Sequence, residues 1–461
     1  MRPPRHIAVI DIGKTNAKLA LVEAATLAEL AVVTRPNRVR PGPPYPHADL
    51  DGHWRFLLDG LAAFHAAHGV DGISVTTHGA AAVLLDAAGG LAAPMLDYEH
   101  TGPDDLAAAY DALRPDFAQT GSPRLPMGLN LGAQLYWLLA TQPGLRDRVA
   151  SVLTYPQYWG FRLTGIRASD VCSLGCHTDL WNPWTGTVSP LVARLGLEGR
   201  IAPPRRPGEV LGPILPEIAA ATGLAPDTPV ACGIHDSNAS LYPHVLGRTG
   251  PFAVVSTGTW VVCMAIGGRP VALDPGRDVL VNVNALGQPV PSARFMGGRE
   301  FEILRAGLDA TPTAADRAAV LERGVMILPA VEPGSGPFPG RAMRWTGQPG
   351  TPGERMVAIA QYLALMTRTC LALIGAEGPV VIEGPFARNA DYLAMLASLC
   401  PGGVEVAASA TGTSAGAALL LADRVGPPET RPVARPAEAA ALAAHAARWQ
   451  ALSEPAADPC A

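Results

Sequence analysis

The chain has 461 residues, 48% of them apolar and 16% charged, with a formal net charge of −5. That is enough length for two large domains or three ordinary ones, and too apolar for a disordered chain. The mild acidity gives no global attraction to nucleic acid or to an anionic membrane, so neither is expected as a partner.

No apolar run reaches the ~18 residues needed to cross a bilayer. Residues 1–6 (MRPPRH) pass directly into a strand-like IAVIDIG, and no secretory leader is expected. Seven cysteines over this length fit reduced thiols better than a disulfide framework, so a cytoplasmic location is expected. The 49 glycines and 45 prolines are scattered, which argues for many turns rather than a low-complexity tract.

In chain order, HIAVIDIGKTNAKLALVE at 6–23 predicts strand, tight turn and strand, with the turn at Gly13 to Ala17. A helix near 54–68 and a strand GISVTTHG at 72–79 follow. Residues 81–97 predict a hairpin turning at Ala88–Gly90, and helices are expected around 103–113 and 132–140. Residues 200–216, rich in Pro, Gly and Arg, read as a surface connection. Segment 229–246 predicts a strand PVACGI, a turn, and a helix beginning at Asp236. FAVVSTGTWVVCMAI at 252–266 repeats the first strand–turn–strand unit about half a chain later, which suggests a duplicated architecture.

Val357, Ala360, Leu363, Ala364, Met366, Cys370, Leu371 and Ile374 fall at helical spacing and predict a helix over Glu354–Ile374. A strand PVVIEG at 379–384, a loop at 385–389 and a helix through Leu399 come next. A short strand VEVAA then precedes a small-residue helix Thr413–Ala422, and residues 427–461 read as a peripheral tail. Alternating strands and helices point to α/β layers.

Gly13-Lys14-Thr15 is not a P-loop: Ala8 stands where that motif needs its first glycine, and a strand rather than a helix follows. A turn between two strands can instead offer backbone N–H groups and small hydroxyls to an anion. Gly13 allows close approach, Thr15 and Asn16 donate, and Lys14 or Lys18 supplies charge. Ser256-Thr257-Gly258-Thr259 offers the same chemistry, so two such turns would clasp a polyphosphate across a cleft. Each alone also reads as an ordinary hairpin turn. Asp11 at the end of the first strand reads either as a turn cap or as a Mg²⁺ ligand beside the phosphates. Asp236 reads either as a helix N-cap or as a base facing a substrate hydroxyl. The loop Glu383 to Asn389 reads as a plain connection or as a seat for a flat base, with Asn389 hydrogen-bonding it. Cys172-x₃-Cys176-His177 has no second Cys/His pair at zinc spacing, and there is no GxSxG nucleophile or GxGxxG dinucleotide motif. His78 and His235 draw notice only by standing beside other motifs.

DIGKTNAK at 11–18, THGAAAVLLD at 77–86, GIHDSNAS at 233–240, STGTW at 256–260, and EGPFARN with GTSAGAALL in the last third resemble, in order and spacing, the FGGY carbohydrate kinases. The resemblance covers about residues 6–425. It implies an α/β fold of two actin-like (ribonuclease-H-like) domains with an interdomain cleft: 1–247 for the sugar, 248–426 for the nucleotide, and 427–461 as the tail. It implies ATP and Mg²⁺, a small sugar as partner, and a homodimer as the assembly to look for. Gly13 to Lys18 would meet the transferred phosphate, and Gly258 and Thr259 would hold phosphates. Asp236 matches the catalytic base, in contact with substrate and sharing the metal with Asp11. Gly384, Phe386 and Asn389 align with the adenosine pocket. His78 and Gly79 fall where relatives contact the sugar, and Asp97 and Glu99 in MLDYEH are candidates for the same pocket.

Two features depart from the family pattern. EGPFARN is poorer in glycine than many adenosine loops, and Lys14 stands where many relatives carry a small hydroxyl. The sugar segments resemble the rhamnulokinase and fuculokinase branches, which implies transfer to a primary hydroxyl of a ketose. The alternatives are a kinase for another polyol or a sugar acid, or a non-catalytic actin-like nucleotide-binding protein; Asp236 after Gly-Ile-His argues against the last.

Overall fold

The structure is a computed structural model that describes residues 4–408, 412–422, 426 and 428–453. The chain divides into two compact units. One comprises Met1–Arg248, Val281–Pro289 and Thr411–Pro427; the other comprises Thr249–Leu280, Val290–Ala410 and Pro428–Ala461.

The first unit is built on a mixed sheet with strands in the order Val210–Pro213, Pro229–Ala231, Gly72–Thr77, His6–Ile12, Asn16–Glu23 and Glu29–Pro36. The last three are antiparallel neighbours. Gly72–Thr77 runs parallel to His6–Ile12, and Pro229–Ala231 runs parallel to Gly72–Thr77. The central strands are nearly continuous apolar runs because both faces are covered. Ile10, Ile12, Leu19 and Leu21 pack with Leu57 and Leu61 of helix Leu50–His68. On the other face, Ile7, Val9, Ala20 and Val22 pack with Ala239 of helix Asp236–Gly247 and Ala417 of helix Thr413–Ala418.

The predicted strand PVACGI is interrupted at Gly233, which has φ +94 and whose added Cβ would lie 2.8 Å from Val75 O. The kink lets Ile234–His235 rejoin Gly72–Thr77 as a second short parallel strand, and the helix begins at Asp236.

The second unit repeats the plan. Its sheet contains, in order, Pro289–Phe295, Val261–Ile266, Phe252–Thr257, Val380–Glu383, Val404–Ala407 and Thr430–Pro432. The first three are antiparallel neighbours, and Phe252–Thr257, Val380–Glu383 and Val404–Ala407 are parallel. Three antiparallel strands followed by parallel ones in each unit are the expected actin-like α/β arrangement. Helix Pro352–Leu373 is apolar enough and long enough to cross a membrane, but 72% of its most apolar window is buried inside the protein, where it forms the core of this unit.

Three further segments differ from the sequence expectation. Ala82–Leu85 pairs with Ser151–Thr154 rather than with the residues after its own turn. The turn does form, with Asp86 N–H donating to Gly90 O at 2.8 Å, and Leu91 and Ala92 reach back to Leu85 and Leu84. Pro94 then stops the pairing, since it has no N–H to give. Within 200–216, Pro204–Arg205 pairs with Ser169–Asp170 and Val210–Pro213 forms a sheet edge, a position that tolerates proline. Finally, residues 439–453 form a helix whose Leu442, Ala446 and Trp449 lie in the core of the second unit, with Trp449 Nε1 donating to Ile327 O at 2.7 Å. Residues 427 and 454–461 of the expected tail lie outside the described residues.

Candidate active site

The strand His6–Ile12 ends in a turn closed by Gly13 N–H donating to Asn16 O at 2.9 Å. Asn37, just past the end of strand Glu29–Pro36, fixes this turn. Its Nδ2 donates to Gly13 O at 2.8 Å and its N–H to Thr15 O at 2.9 Å. His53 in turn fixes Asn37. Burial, with the Arg35 charge adding to it, pushes His53 down to about 4, so the ring is neutral near pH 7. Its Nδ1 accepts from Arg35, which leaves Nε2–H to donate to Asn37 Oδ1 at 2.8 Å. Thr15 and Asn16 are exposed at the tip.

Asp11 ends the same strand and lies opposite Lys18 in the hairpin register. Its Oδ2 accepts from Thr413 Oγ1 at 2.5 Å and is 3.6 Å from Lys18 Nζ. Burial pushes the Asp11 carboxyl up, and the Asp236 charge adds to that, while Thr413 and Lys18 oppose it. Lys18 also meets Glu29 Oε1 at 3.1 Å. Lys14 is paired as well, with Asp97 directly and with Glu99 at 3.1 Å, and its ammonium lies 4.6 Å from the Tyr98 ring centroid. The sequence reading assigned Lys14 or Lys18 to the phosphate and Asp97 to the sugar. In the structure both lysines are already neutralised by carboxylates, and Asp97 is the partner of Lys14.

The adjacent strand Gly72–Thr77 leads into His78 and Gly79. His78 N–H donates to Ile12 O at 2.9 Å, which ties this loop to the end of the first strand. Burial pushes the His78 ring below its usual value, and the Lys14 and His235 charges act in the same direction. Gly79 makes room for His235: a Cβ there would lie 2.6 Å from His235 Nε2. That nitrogen is 3.1 Å from Asp236 Oδ1. Burial works against charge on the His235 ring, but the Cys176 sulfur and the Asp236 carboxylate raise it above its usual value. Asp236 opens its helix, and its Oδ1 accepts from Ser237 N–H at 2.6 Å. The side chain is 29% exposed. Asp11, Gly13 to Lys18, His78, Gly79, Asp97 and Asp236 therefore form one group in the first unit.

The donor set suits a magnesium ion held mainly by phosphate and water. Asp11 and Asp236 each use one oxygen in the contacts above and keep the other. Among the described residues no group of three or more His, Cys, Asp or Glu side chains could hold a metal. Mg²⁺ ordinarily takes one or two carboxylates plus phosphate oxygens and keeps several waters.

The remaining predicted residues gather in the second unit around a cavity of about 700 Å³, lined by Gly258, Thr259, Phe301, Phe386 and Asn389 among others. The hairpin turn closes with Gly258 N–H donating to Trp260 O at 2.9 Å. Gly298, opening helix Gly297–Arg305, packs directly on Gly258 O, where no Cβ would fit. Gly384 has φ +83 and lies against Thr257 O, so it supports the wall rather than lining it. Thr257 joins the two loops: its hydroxyl donates to Glu383 O at 2.5 Å and accepts from Phe386 N–H at 3.1 Å. Asn389 caps helix Ala390–Leu399, its Oδ1 accepting from Tyr392 N–H at 3.1 Å, which leaves Nδ2 to donate. Asn389→Ala is expected to cost about 1 kcal/mol of stability through loss of this cap, read as a lower unfolding midpoint.

Sequence reasoning missed Tyr98 and Thr413, gave His235 no role, and placed Thr257 in the phosphate turn without foreseeing that its hydroxyl ties the two loops together. His235 was detectable as the neighbour of Asp236 in its motif. Thr413 reaches Asp11 only through the folding back of the chain.

Residues 6–242 match the family model described as FGGY family of carbohydrate kinases, N-terminal domain, and residues 249–430 match Carbohydrate kinase FGGY, C-terminal domain. The crystal structure of a carbohydrate kinase from Novosphingobium aromaticivorans is similar with TM-score 0.90 at 39% identity, covering 97% of this chain and 100% of that one. L-fuculokinase from Salmonella typhi is 25% identical over 271 residues, 57% of each chain. A probable L-xylulose kinase from Pasteurella multocida is 32% identical over 137 residues, 29% of this chain and 28% of that one. The first of these curated relatives is thus matched over little more than half its length, and the second over less. Both domain models fall in order along the chain, and with the full-length structural likeness they establish that it belongs to the FGGY family of carbohydrate kinases.

Proposed function

We propose that the protein is an ATP-dependent kinase that transfers the γ-phosphoryl group to a primary hydroxyl of a ketose, of the L-rhamnulose/L-fuculose or ketopentose type. The observation that carries this reading is the Asp236 carboxylate, held at a helix start by Ser237 and His235 with one oxygen left for a substrate. In a loose phosphoryl-transfer transition state the base chiefly orients the hydroxyl and takes its proton late, so an ordinary carboxylate suffices. The hydroxyl oxygen bonds to the γ-phosphorus, the bond to the β–γ bridging oxygen breaks, the proton passes to Asp236, and ADP leaves. Mg²⁺ held by Asp11 and Asp236 would offset phosphate charge.

The two units divide the work, the first taking the sugar and the second the nucleotide. The expected bounds 1–247 and 248–426 shift because Val281–Pro289 and Thr411–Pro427 fold with the first unit and Pro428–Ala461 with the second. Neutral His78, with Gly79 and Asp97, borders the sugar; the Gly13 to Asn16 turn presents its N–H groups and hydroxyl to the transferred phosphate. In the second unit Gly258 and Thr259 take phosphate, Phe386 flanks the base, and Asn389 Nδ2 donates to it. A ketose is favoured over a sugar acid because Lys14 and Lys18 are already paired, so a substrate carboxylate meets no free ammonium there. Both curated relatives above are named for ketoses.

The test is ADP release with Mg·ATP across L-rhamnulose, L-fuculose, L- and D-ribulose, L- and D-xylulose and erythrulose, with glycerol and gluconate as contrasts. One ketose should give a strong signal. Turnover of gluconate or glycerol alone would overturn the ketose assignment, and silence across the panel with ATP still bound would overturn the kinase reading for these sugars.

A further inference from the structure

The second unit carries another cavity, of about 480 Å³, that no step of the proposed reaction uses. Its lining mixes apolar side chains, Leu365, Leu399, Phe338 and Trp449 among them, with the polar Arg277, Arg368, Thr369 and Gln450. Two guanidinium groups line it, and no Asp or Glu among the described residues does. Arg277 is fixed in place: its Nε donates to Pro337 O at 2.9 Å, and its guanidinium carbon lies 5.6 Å from the Phe338 ring centroid. Its terminal nitrogens have no partner among the described residues. Arg368 has no hydrogen bond or ion pair among the described residues; its charge acts on the Cys400 thiol. Two helices end nearby, Pro352–Leu373 and Ala390–Leu399, and each brings a partial negative charge of about half a unit to its C-terminus. The two full positive charges outweigh that.

The same two helices frame the nucleotide pocket at their other ends. Met356 and Asp391 line that pocket, whereas Arg368 and Leu399 line this cavity. A ligand bracing one pair of ends would reach the other only by moving these helices as units.

We propose that this cavity is an effector site for a small anion with an apolar body, a carboxylate or phosphate on an aromatic or branched group, and that its occupancy changes nucleotide affinity through these two helices. The anion would take the free guanidinium donors, and the apolar body would cover the Leu365 to Trp449 wall. Charge-assisted hydrogen bonds to a planar guanidinium suit both head groups.

Calorimetric titration of the full chain with phenyl phosphate and with benzoate tests this, using benzyl alcohol and inorganic phosphate as the isolated halves. At least one of the two anions should bind about tenfold more tightly than either half, and Arg368→Ala should weaken it about tenfold. Saturating probe should shift the ADP dissociation constant about fivefold in the wild type and leave it unchanged in Arg368→Ala. Equal binding of benzyl alcohol, undiminished binding by Arg368→Ala, or an unmoved ADP affinity would overturn the proposal. The part of it that concerns nucleotide affinity rests on the nucleotide reading of the first pocket. If ADP binds under no condition, that reading and the coupling fail together, while the probe isotherms decide the cavity on their own.

Discussion

Asp236→Asn should lower kcat by ~10²–10⁴-fold, the usual worth of a general base, with little change in the unfolding midpoint. The substitution preserves shape. An asparagine oxygen can still accept from Ser237 N–H at the helix start, so the local fold is kept. The other position, the one left for the substrate, becomes an amide that donates instead of accepting. The hydroxyl then loses both its orientation and its proton acceptor. Steady-state turnover beside thermal unfolding separates the two effects. Full turnover in a folded Asp236→Asn protein would remove this residue from the mechanism.

Gly416→Ala should cost about 3 kcal/mol or more of stability, at or beyond the upper end of overpacking changes. On helix propensity alone the change would be favourable by about 1 kcal/mol, so its sign is diagnostic. The obstacle is that an added Cβ would fall inside the carbonyl of Ala239, on the neighbouring helix Asp236–Gly247. A backbone carbonyl cannot rotate away, so one helix must move. One of these helices starts at Asp236 and the other at Thr413, whose hydroxyl holds Asp11. Turnover should therefore fall along with the denaturation midpoint. A variant as stable as the wild type would show that the two helices slide freely.

What the sequence conveyed well was local. The two hairpins, the helix start at Asp236 and the loop before Asn389 are each specified within about ten residues by turn chemistry and apolar spacing, and the long helix over 352–373 by its periodicity. Partnerships set by distant packing were not legible. Lys14 meets Asp97 across 83 positions and Asp11 meets Thr413 across 402, and no local pattern encodes either. The C-terminal helix was more accessible than its reading as a tail suggests. Leu442, Ala446 and Trp449 recur at helical spacing, but the surrounding alanines gave that stripe too little contrast to mark a buried face.

The pairing of both lysines also bears on how the cycle ends. Asp11, Glu29, Asp97, Glu99 and Asp236 share their surroundings with Lys14 and Lys18, so five carboxylates stand against two ammonium groups, and they remain in excess even with the His235 ring counted as a cation. On the proposed reading, a neutral sugar enters such a field without penalty. Once phosphorylated it is an anion that meets, beside the N–H groups of the Gly13 to Asn16 turn, an excess of carboxylates, and like charges a few ångströms apart repel appreciably even in water. The arrangement that leaves no lysine free to retain the product thus favours its departure, and a sugar phosphate should inhibit this protein weakly relative to the affinity of the free sugar.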